Sequence, residues 1–326
     1  MRGLRPRAGR RLACFVRHRV LSDSPMTMRF LAYFLAAGLT ACQTFQPQQA
    51  DLPLVKQMSV NGTYLAYVEQ GHGEVVLFIH GANGDWRTWD ELRPIIAARY
   101  RFVSVSRRYH QPNPWPGDGT DYSVQLHVND VAAFISALGV GKVHVVGGSY
   151  GGIVALYLAL QRPDLLRSVT ASEAWMISDN TPSAKEAIAS WREAVHQMSD
   201  AIERGDEPKA SVLLWNAVND DRFSFDRAPA PGQQRWLANA KTWPLVLNGT
   251  SPPAVTCEQL GDLRVPALIL QSEYARPPFV QANKKLLECS PPGTNTALVP
   301  GAPHIWYSVN PRAGANAILA FVAAHE

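Results

Sequence analysis

One short run constrains this chain more than any other: Val145-Val146-Gly147-Gly148-Ser149-Tyr150-Gly151-Gly152. An apolar strand at residues 143–146 enters a serine flanked by glycines, and an alanine-rich helix at 153–161 follows at once. Gly147, Ser149 and Gly151 form a G-x-S-x-G pattern. A hydroxyl held at a sharp strand-to-helix turn needs strained backbone at the serine, and its neighbours two residues away must lack bulk. The same turn aims the helix N-terminus, with its free N–H groups, at whatever the serine attacks. The pattern therefore points to a nucleophilic serine. A glycine-rich phosphate loop fits poorly, because G-x-G-x-x-G requires glycine at 149 and a P-loop requires Lys after its last Gly.

Strands and helices alternate along most of the chain, the signature of an α/β sheet. Residues 54–60 and 64–69 read as strands around an Asn61-Gly62 hairpin turn. A buried strand at 74–79 ends at His80-Gly81, a helix follows at 86–98, and a strand at 101–106. After a Pro/Gly-rich loop at 109–120, the spacing of Val131, Phe134, Ile135 and Leu138 predicts a helix over 123–138. A strand at 166–171 follows the serine turn and its helix. The alternation then stops. Residues 176–262 carry helical patterns at 184–204, 207–217 and 232–242, contain Trp191, Trp215, Trp236 and Trp243, and read as an inserted helical cap. Strand 265–270, helix 279–288, strand 296–299 and an amphipathic helix at 313–324 close the chain. The expected organisation is one large domain, with a core of residues 54–175 and 263–326 and a cap of residues 176–262.

Residues 1–41 read as processing signals. The apolar run at 30–41 is too short to span a bilayer but suits a signal-peptide core. It ends in Leu39-Thr40-Ala41-Cys42, which resembles the bacterial lipoprotein signal. That resemblance implies a lipid on Cys42. Gln43 after it, in place of Asp, implies a membrane-anchored protein of the cell envelope, on the periplasmic face of the outer membrane. The Arg-rich stretch 1–25 precedes Met26-Thr27-Met28-Arg29, so Met26 or Met28 is the expected start. Residues 42–53 form a polar tether. The leader carries eight Arg and one Asp, a net of +7 against +4 for the whole chain, which leaves −3 for residues 42–326. The mature chain thus has no basic excess for nucleic acid. Of four cysteines, Cys14 lies in the leader, and Cys257 and Cys289 remain in a compartment that permits disulfides. No Cys-x-x-Cys or Cys/His cluster suggests a metal.

Four motifs stand in order: Asn61-Gly62…Tyr67…Gly71, His80-Gly81, the Ser149 turn, and Pro300-Gly301-Ala302-Pro303-His304. On these the chain resembles the α/β-hydrolase superfamily over nearly all of 54–324. The resemblance implies a mostly parallel sheet flanked by helices, with the helical cap inserted between the sixth and seventh strands. It also implies a serine hydrolase, without cofactor, acting on carboxylic esters or related acyl compounds. The backbone N–H groups of Ala82 and Tyr150 would form the oxyanion hole, and His304 would be the general base. His80 shapes its loop by hydrogen bonds. His110, His127, His144 and His196 read as loop, helix or surface residues. Carbon–carbon bond, lactone and thioester hydrolysis are alternatives on the same residues, and a non-catalytic binding lipoprotein is an alternative of another class. Dehalogenase and epoxide hydrolase readings are disfavoured, because those relatives carry a carboxylate nucleophile where Ser149 stands.

The chain departs from the family pattern twice. The loop after the fourth strand often reads Asp-x-Arg-Gly; here it is Ser106-Arg107-Arg108-Tyr109-His110. The usual acid position after the seventh strand holds Ala275. Two glutamates compete for the acid, and both satisfy the order Ser, acid, His. Glu173 follows the sixth strand, 24 residues after Ser149, a placement similar to one branch of the haloalkane dehalogenases. Glu273 follows the seventh strand. Both loops lie on the carboxyl side of the sheet. With the usual position empty, Glu173 is preferred and Glu273 is the alternative. The cap, with Trp86, Trp89 and Trp115 contributing, would give an apolar wall and a small to medium, partly hydrophobic acyl substrate. Cys257 precedes the seventh strand, and Cys289 ends the helix that runs back along it, so a Cys257–Cys289 disulfide is expected.

Overall fold

The computed structural model describes residues 53–175, 181–249 and 255–326; the expected signal segment, Cys42 and the tether up to residue 52 lie outside the described residues. Asn61 and Gly62 both take positive φ, 43° and 75°. They form the two-residue turn that joins β1 (Lys56–Val60) to β2 (Thr63–Gln70), with Val60 opposite Thr63. β3 (Val75–Ile79) leads to a 3-10 turn at Trp86–Trp89 and a short α1 (Arg93–Ala97). The pattern of 86–98 predicts one helix here. Pro94 has no N–H to donate four residues back, so the α-helix starts afresh beside it. β4 (Arg101–Val105) follows, then α2 (Val124–Leu138), which Ser123 caps through Leu126 N–H at 3.0 Å and Gly139 ends at φ 65°.

β5 (Val143–Gly148), α3 (Tyr150–Gln161) and β6 (Leu166–Ser172) form the centre. Then come α4 (Pro182–Glu203), α5 (Glu207–Val218), α6 (Ala230–Ala238) and α7 (Trp243–Asn248), with no strand among the described residues of this stretch. α8 (Cys257–Gly261), β7 (Ala267–Ser272), α9 (Pro277–Cys289), β8 (Asn295–Val299), α10 (Trp306–Val309) and α11 (Pro311–Ala323) complete the chain. The eight strands pair in the order β1-β2-β4-β3-β5-β6-β7-β8. β2 runs antiparallel to β1 and β4, and every other pairing is parallel.

The two-residue period of the strands divides the core in two. Leu77, Ile79, Val103 and Val145 face a cluster with α2 and α3, whereas Phe78, Phe102 and Val146 face one with α1 and α11. Both faces of the parallel strands are thereby covered. A third cluster, built on Met198, Leu214, Trp215, Trp236 and Trp243, joins the inserted helices to Phe279 and Ile305 of the core. The sequence pattern extends the cap to residue 262. In the structure α8 sits elsewhere: Val255, Leu260 and Leu263 pack into the α2–α3 cluster, so residues 255–262 pack with the core. Cys257, at the start of α8, is joined by a disulfide to Cys289, at the end of α9.

Candidate active site

The serine turn is made by steric exclusion. A Cβ on Gly147 would strike the Gly151 carbonyl, and one on Gly151 would strike the carbonyls of Ile79 and His80. Only glycine at both positions lets α3 begin directly above the end of β3. Ser149 itself takes φ 53°, a left-handed value that costs a non-glycine residue roughly 1–3 kcal/mol. Its N–H is held by the Ser172 carbonyl at 2.7 Å. The loop after β3 closes on it: a Cβ at Gly81 would lie 3.3 Å from Ser149 Cβ and 3.9 Å from its Oγ.

Glu173 comes straight from the end of β6, is buried, and also takes a left-handed φ, 48°. Its Oε1 accepts from Ser272 N–H at 2.8 Å, and its Oε2 lies 2.5 Å from His304 Nδ1. Glu273 is exposed and its Oε2 accepts from Gly301 N–H at 2.6 Å instead, which tightens the turn before His304. The His304 ring stacks on Phe279, centroids 4.2 Å apart, and the following N–H, of Ile305, donates to Asn219 Oδ1 of the cap at 3.2 Å. A carboxylate on Nδ1 makes that nitrogen the donor and leaves Nε2 as the basic one.

Ser149, Ala82, Tyr150 and His304 line one cavity of about 250 Å³. Trp175, Trp191, Trp236, Trp243 and Phe279 form much of its wall, and among the described residues that line it none is Asp, Glu, Lys or Arg. Burial pushes the Tyr307 phenol of this wall up to about 12, so it stays neutral. The expected roles of Trp86, Trp89 and Trp115 do not hold. Trp86 and Trp89 pack in the core beneath the site, and Trp115 is exposed and meets Tyr109. Trp215 packs inside the cap, where its Nε1 donates to the Phe223 carbonyl. Asn83 and Asn239 fasten the cap to the core, the first on Trp236 O at 2.8 Å and the second on Asp85 at 2.8 Å.

Sequence pattern gives no hint of several supporting groups. Trp306 Nε1 donates to Ser172 Oγ at 2.7 Å, beside the carbonyl that holds Ser149. His110 lies in the loop after β4, His127 on α2, and His196 is exposed, as expected, but His110 and His127 are fully buried, as is His144 within β5, which is covered on both sides. Among the described residues no group of His, Cys, Asp and Glu has a metal-holding arrangement, and no helix is long and apolar enough to cross a membrane.

A family model described as alpha/beta hydrolase fold matches residues 74–229. The chain is 26% identical over 276 residues to 2-(acetamidomethylene)succinate hydrolase of Mesorhizobium japonicum, which covers 84% of this chain and 97% of that one. It is 30% identical over 113 residues to epoxide hydrolase 3 of Siraitia grosvenorii, but spans just 36% of that protein's length. Among solved structures, a thermophilic esterase from Thermogutta terrifontis superposes with a TM-score of 0.67 at 17% identity, over 84% of this chain and 100% of that one. At that identity the likeness speaks of the fold alone.

Proposed function

We propose that this chain, whose fold is that of the α/β-hydrolases, is a serine hydrolase of carboxylic esters or related acyl compounds. One observation carries the reading: His304 Nδ1 meets the buried Glu173 carboxylate at 2.5 Å, in a cavity that His304 shares with Ser149 on its strained turn. In this mechanism Ser149 Oγ attacks the acyl carbon while His304 Nε2 takes the hydroxyl proton. The carbonyl π electrons move to oxygen, and the oxyanion accepts from the Ala82 and Tyr150 N–H groups. The intermediate collapses, the bond to the alcohol breaks, and the alcohol leaves with the proton from His304. Water then repeats the sequence on the acyl-enzyme and restores Ser149. Glu173 holds the imidazole and stabilises its charged form without itself taking the proton.

An epoxide hydrolase reading is weaker, because a serine stands at the nucleophile position. The uncharged, aromatic wall supports a small to medium apolar acyl group. The lipid anchor at Cys42 and the outer-membrane location belong to the same proposal, supported by the Leu39-Thr40-Ala41-Cys42 sequence.

One experiment covers both parts. The full chain, expressed in a bacterial host, is labelled with a fluorophosphonate probe and partitioned between detergent and water. Label is expected in the detergent phase, absent in Ser149→Ala, and in the water phase for Cys42→Ser. Equal labelling of Ser149→Ala overturns the serine mechanism. A folded wild type that neither labels nor hydrolyses any of a panel of p-nitrophenyl esters favours a binding protein. Wild type in the water phase overturns the anchor.

A further inference from the structure

Behind the loop that holds Ala82 lies a buried charge with no counter-charge among the described residues. Arg107, the first arginine of the loop after β4, is 1% exposed. Its Nη2 donates to the Gly81 carbonyl at 2.9 Å, its Nε to the His80 carbonyl at 3.3 Å and its Nη1 to Tyr122 Oη at 3.2 Å. The guanidinium carbon stands 4.6 Å from the centre of the Tyr150 ring. No carboxylate pairs with it among the described residues, unlike its neighbour Arg108, which is bonded to the buried Asp130 at 2.8 and 2.9 Å. A buried cation without an ion pair is costly to hold, so its surroundings must offset the cost through neutral acceptors and ring faces.

The backbone of Arg107 also sets the tautomer of His80. Its N–H donates to His80 Nε2 at 2.9 Å, so the ring proton sits on Nδ1, which donates to the Gly81 carbonyl at 2.8 Å. Burial, with the Arg107 charge adding to it, keeps His80 neutral by holding its pKa well below the usual histidine range. The Gly81 carbonyl thus accepts from both the guanidinium and the imidazole. That carbonyl and the Ala82 N–H belong to one planar trans peptide, in which they point opposite ways. These donors, with the Gly84 N–H at 3.3 Å as a third, aim the N–H away from Arg107, and the Ala82 N–H has no acceptor among the described residues. Drawing electron density to the carbonyl oxygen also makes the N–H a stronger donor, since hydrogen bonds along a chain polarise one another.

We infer that Arg107 is a positioning residue for the oxyanion hole: its guanidinium locks the Gly81–Ala82 peptide on one side and steadies the Tyr150 ring on the other, so that both N–H donors meet the oxyanion in register. The anion that this buried cation lacks in the resting protein develops in the transition state, one peptide unit away. Its effect therefore falls on the chemical step more than on substrate binding. The inference rests on the serine-hydrolase reading.

The test begins with wild type: if it neither labels with fluorophosphonate nor turns over p-nitrophenyl esters, that reading fails before Arg107 is reached. With active wild type, Arg107→Gln is expected to lower kcat by about 10- to 100-fold with KM within about threefold, a share of what losing an entire donor costs. An alkyl boronate, whose serine adduct is tetrahedral and anionic, should lose affinity by the same factor. Arg107→Lys keeps the charge but not the two-carbonyl fork, and should fall between the two in kcat and boronate affinity. Wild-type kcat in a folded Gln variant overturns the assignment. So does a boronate affinity that stays constant while kcat falls, or a Lys variant no better than Gln. If the Gln variant does not fold, a Lys variant with full wild-type kcat overturns it alone.

Discussion

Glu173 and Glu273 show how little a carboxylate's distance along the chain says about its work. Glu173 offers each oxygen to a fixed donor, Ser272 N–H on one and His304 Nδ1 on the other, and its backbone sits in the left-handed region. Such strain persists only where the surroundings over-determine it. Glu273 lies in solvent and ties down Gly301. Glu173→Gln leaves one oxygen for two donors: with it on Ser272 N–H, the amide NH2 faces Nδ1 and favours the wrong tautomer, and no negative charge remains to stabilise the imidazolium. Turnover should fall about 10³- to 10⁴-fold, as when the comparable carboxylate of a serine protease becomes an amide. Glu273→Gln should stay within about threefold, because the Gly301 N–H can still donate to the amide oxygen. Steady-state kinetics on variants with matched melting curves decide between them, and the reverse ranking would reassign the acid.

α8 and α9 are joined by their disulfide at ends remote from the cavity. Phe279 stacks on His304 near the start of α9, whereas Cys289 is its last residue, about 15 Å further along at 1.5 Å per residue. The Cα atoms of Cys257 and Cys289 are 4.6 Å apart, across a separation of 32 residues. Closing a loop of that length stabilises the folded state by about 3–4 kcal/mol on the chain-entropy argument. The double Cys257→Ser, Cys289→Ser variant should therefore unfold at lower urea concentration, with kcat unchanged below its transition. Reductant should move wild type to the same midpoint. An unchanged midpoint, or lost turnover in folded variant, would show that the bridge acts otherwise.

His80, His110 and His127 form a buried group around Arg107, with ring centroids of His80 and His110 at 4.6 Å and of His110 and His127 at 6.4 Å. Neither ring nitrogen of His127 has a hydrogen-bond partner among the described residues. Burial first, and the Arg107 charge second, hold all three well below the usual histidine pKa of 6.5. Above that value the folded and unfolded chains are both neutral at these positions, and nothing changes with pH. Below it the unfolded chain takes protons that the folded chain refuses, so stability is lost as pH falls from 6.5 toward the depressed folded values. Each such group contributes a slope of up to about 1.4 kcal/mol per pH unit. Urea melts at pH 7.5, 6 and 5 should show this loss setting in below neutrality, earlier than carboxylate titration accounts for. His127→Leu should remove one proton's share of the slope; an unaltered slope would mean that His127 is charged or solvated in the folded chain.

Much of the architecture is written in neighbouring residues. The alternation of apolar positions within β3, β4 and β5, the Asn61-Gly62 turn, the Ser123 cap and the Gly147–Gly151 turn are local, and local chemistry decides them. Ser149 and His304 can be singled out for the same reason, since each stands in a distinctive turn after a strand. The choice between Glu173 and Glu273 cannot be read this way, because both follow strands and both precede His304. Nor can the place of α8, the burial of His110 and His127, or the reach of Arg107 across to Gly81. These follow from the strand order β1-β2-β4-β3-β5-β6-β7-β8, which sets the carboxyl ends of β5, β6, β7 and β8 side by side. Four loops distant in the chain thereby bring Ser149, Glu173, Ser272 and His304 into one place. Sequence determined which turns this chain makes. Only the sheet, by pairing strands far apart in the chain, decided which turns meet.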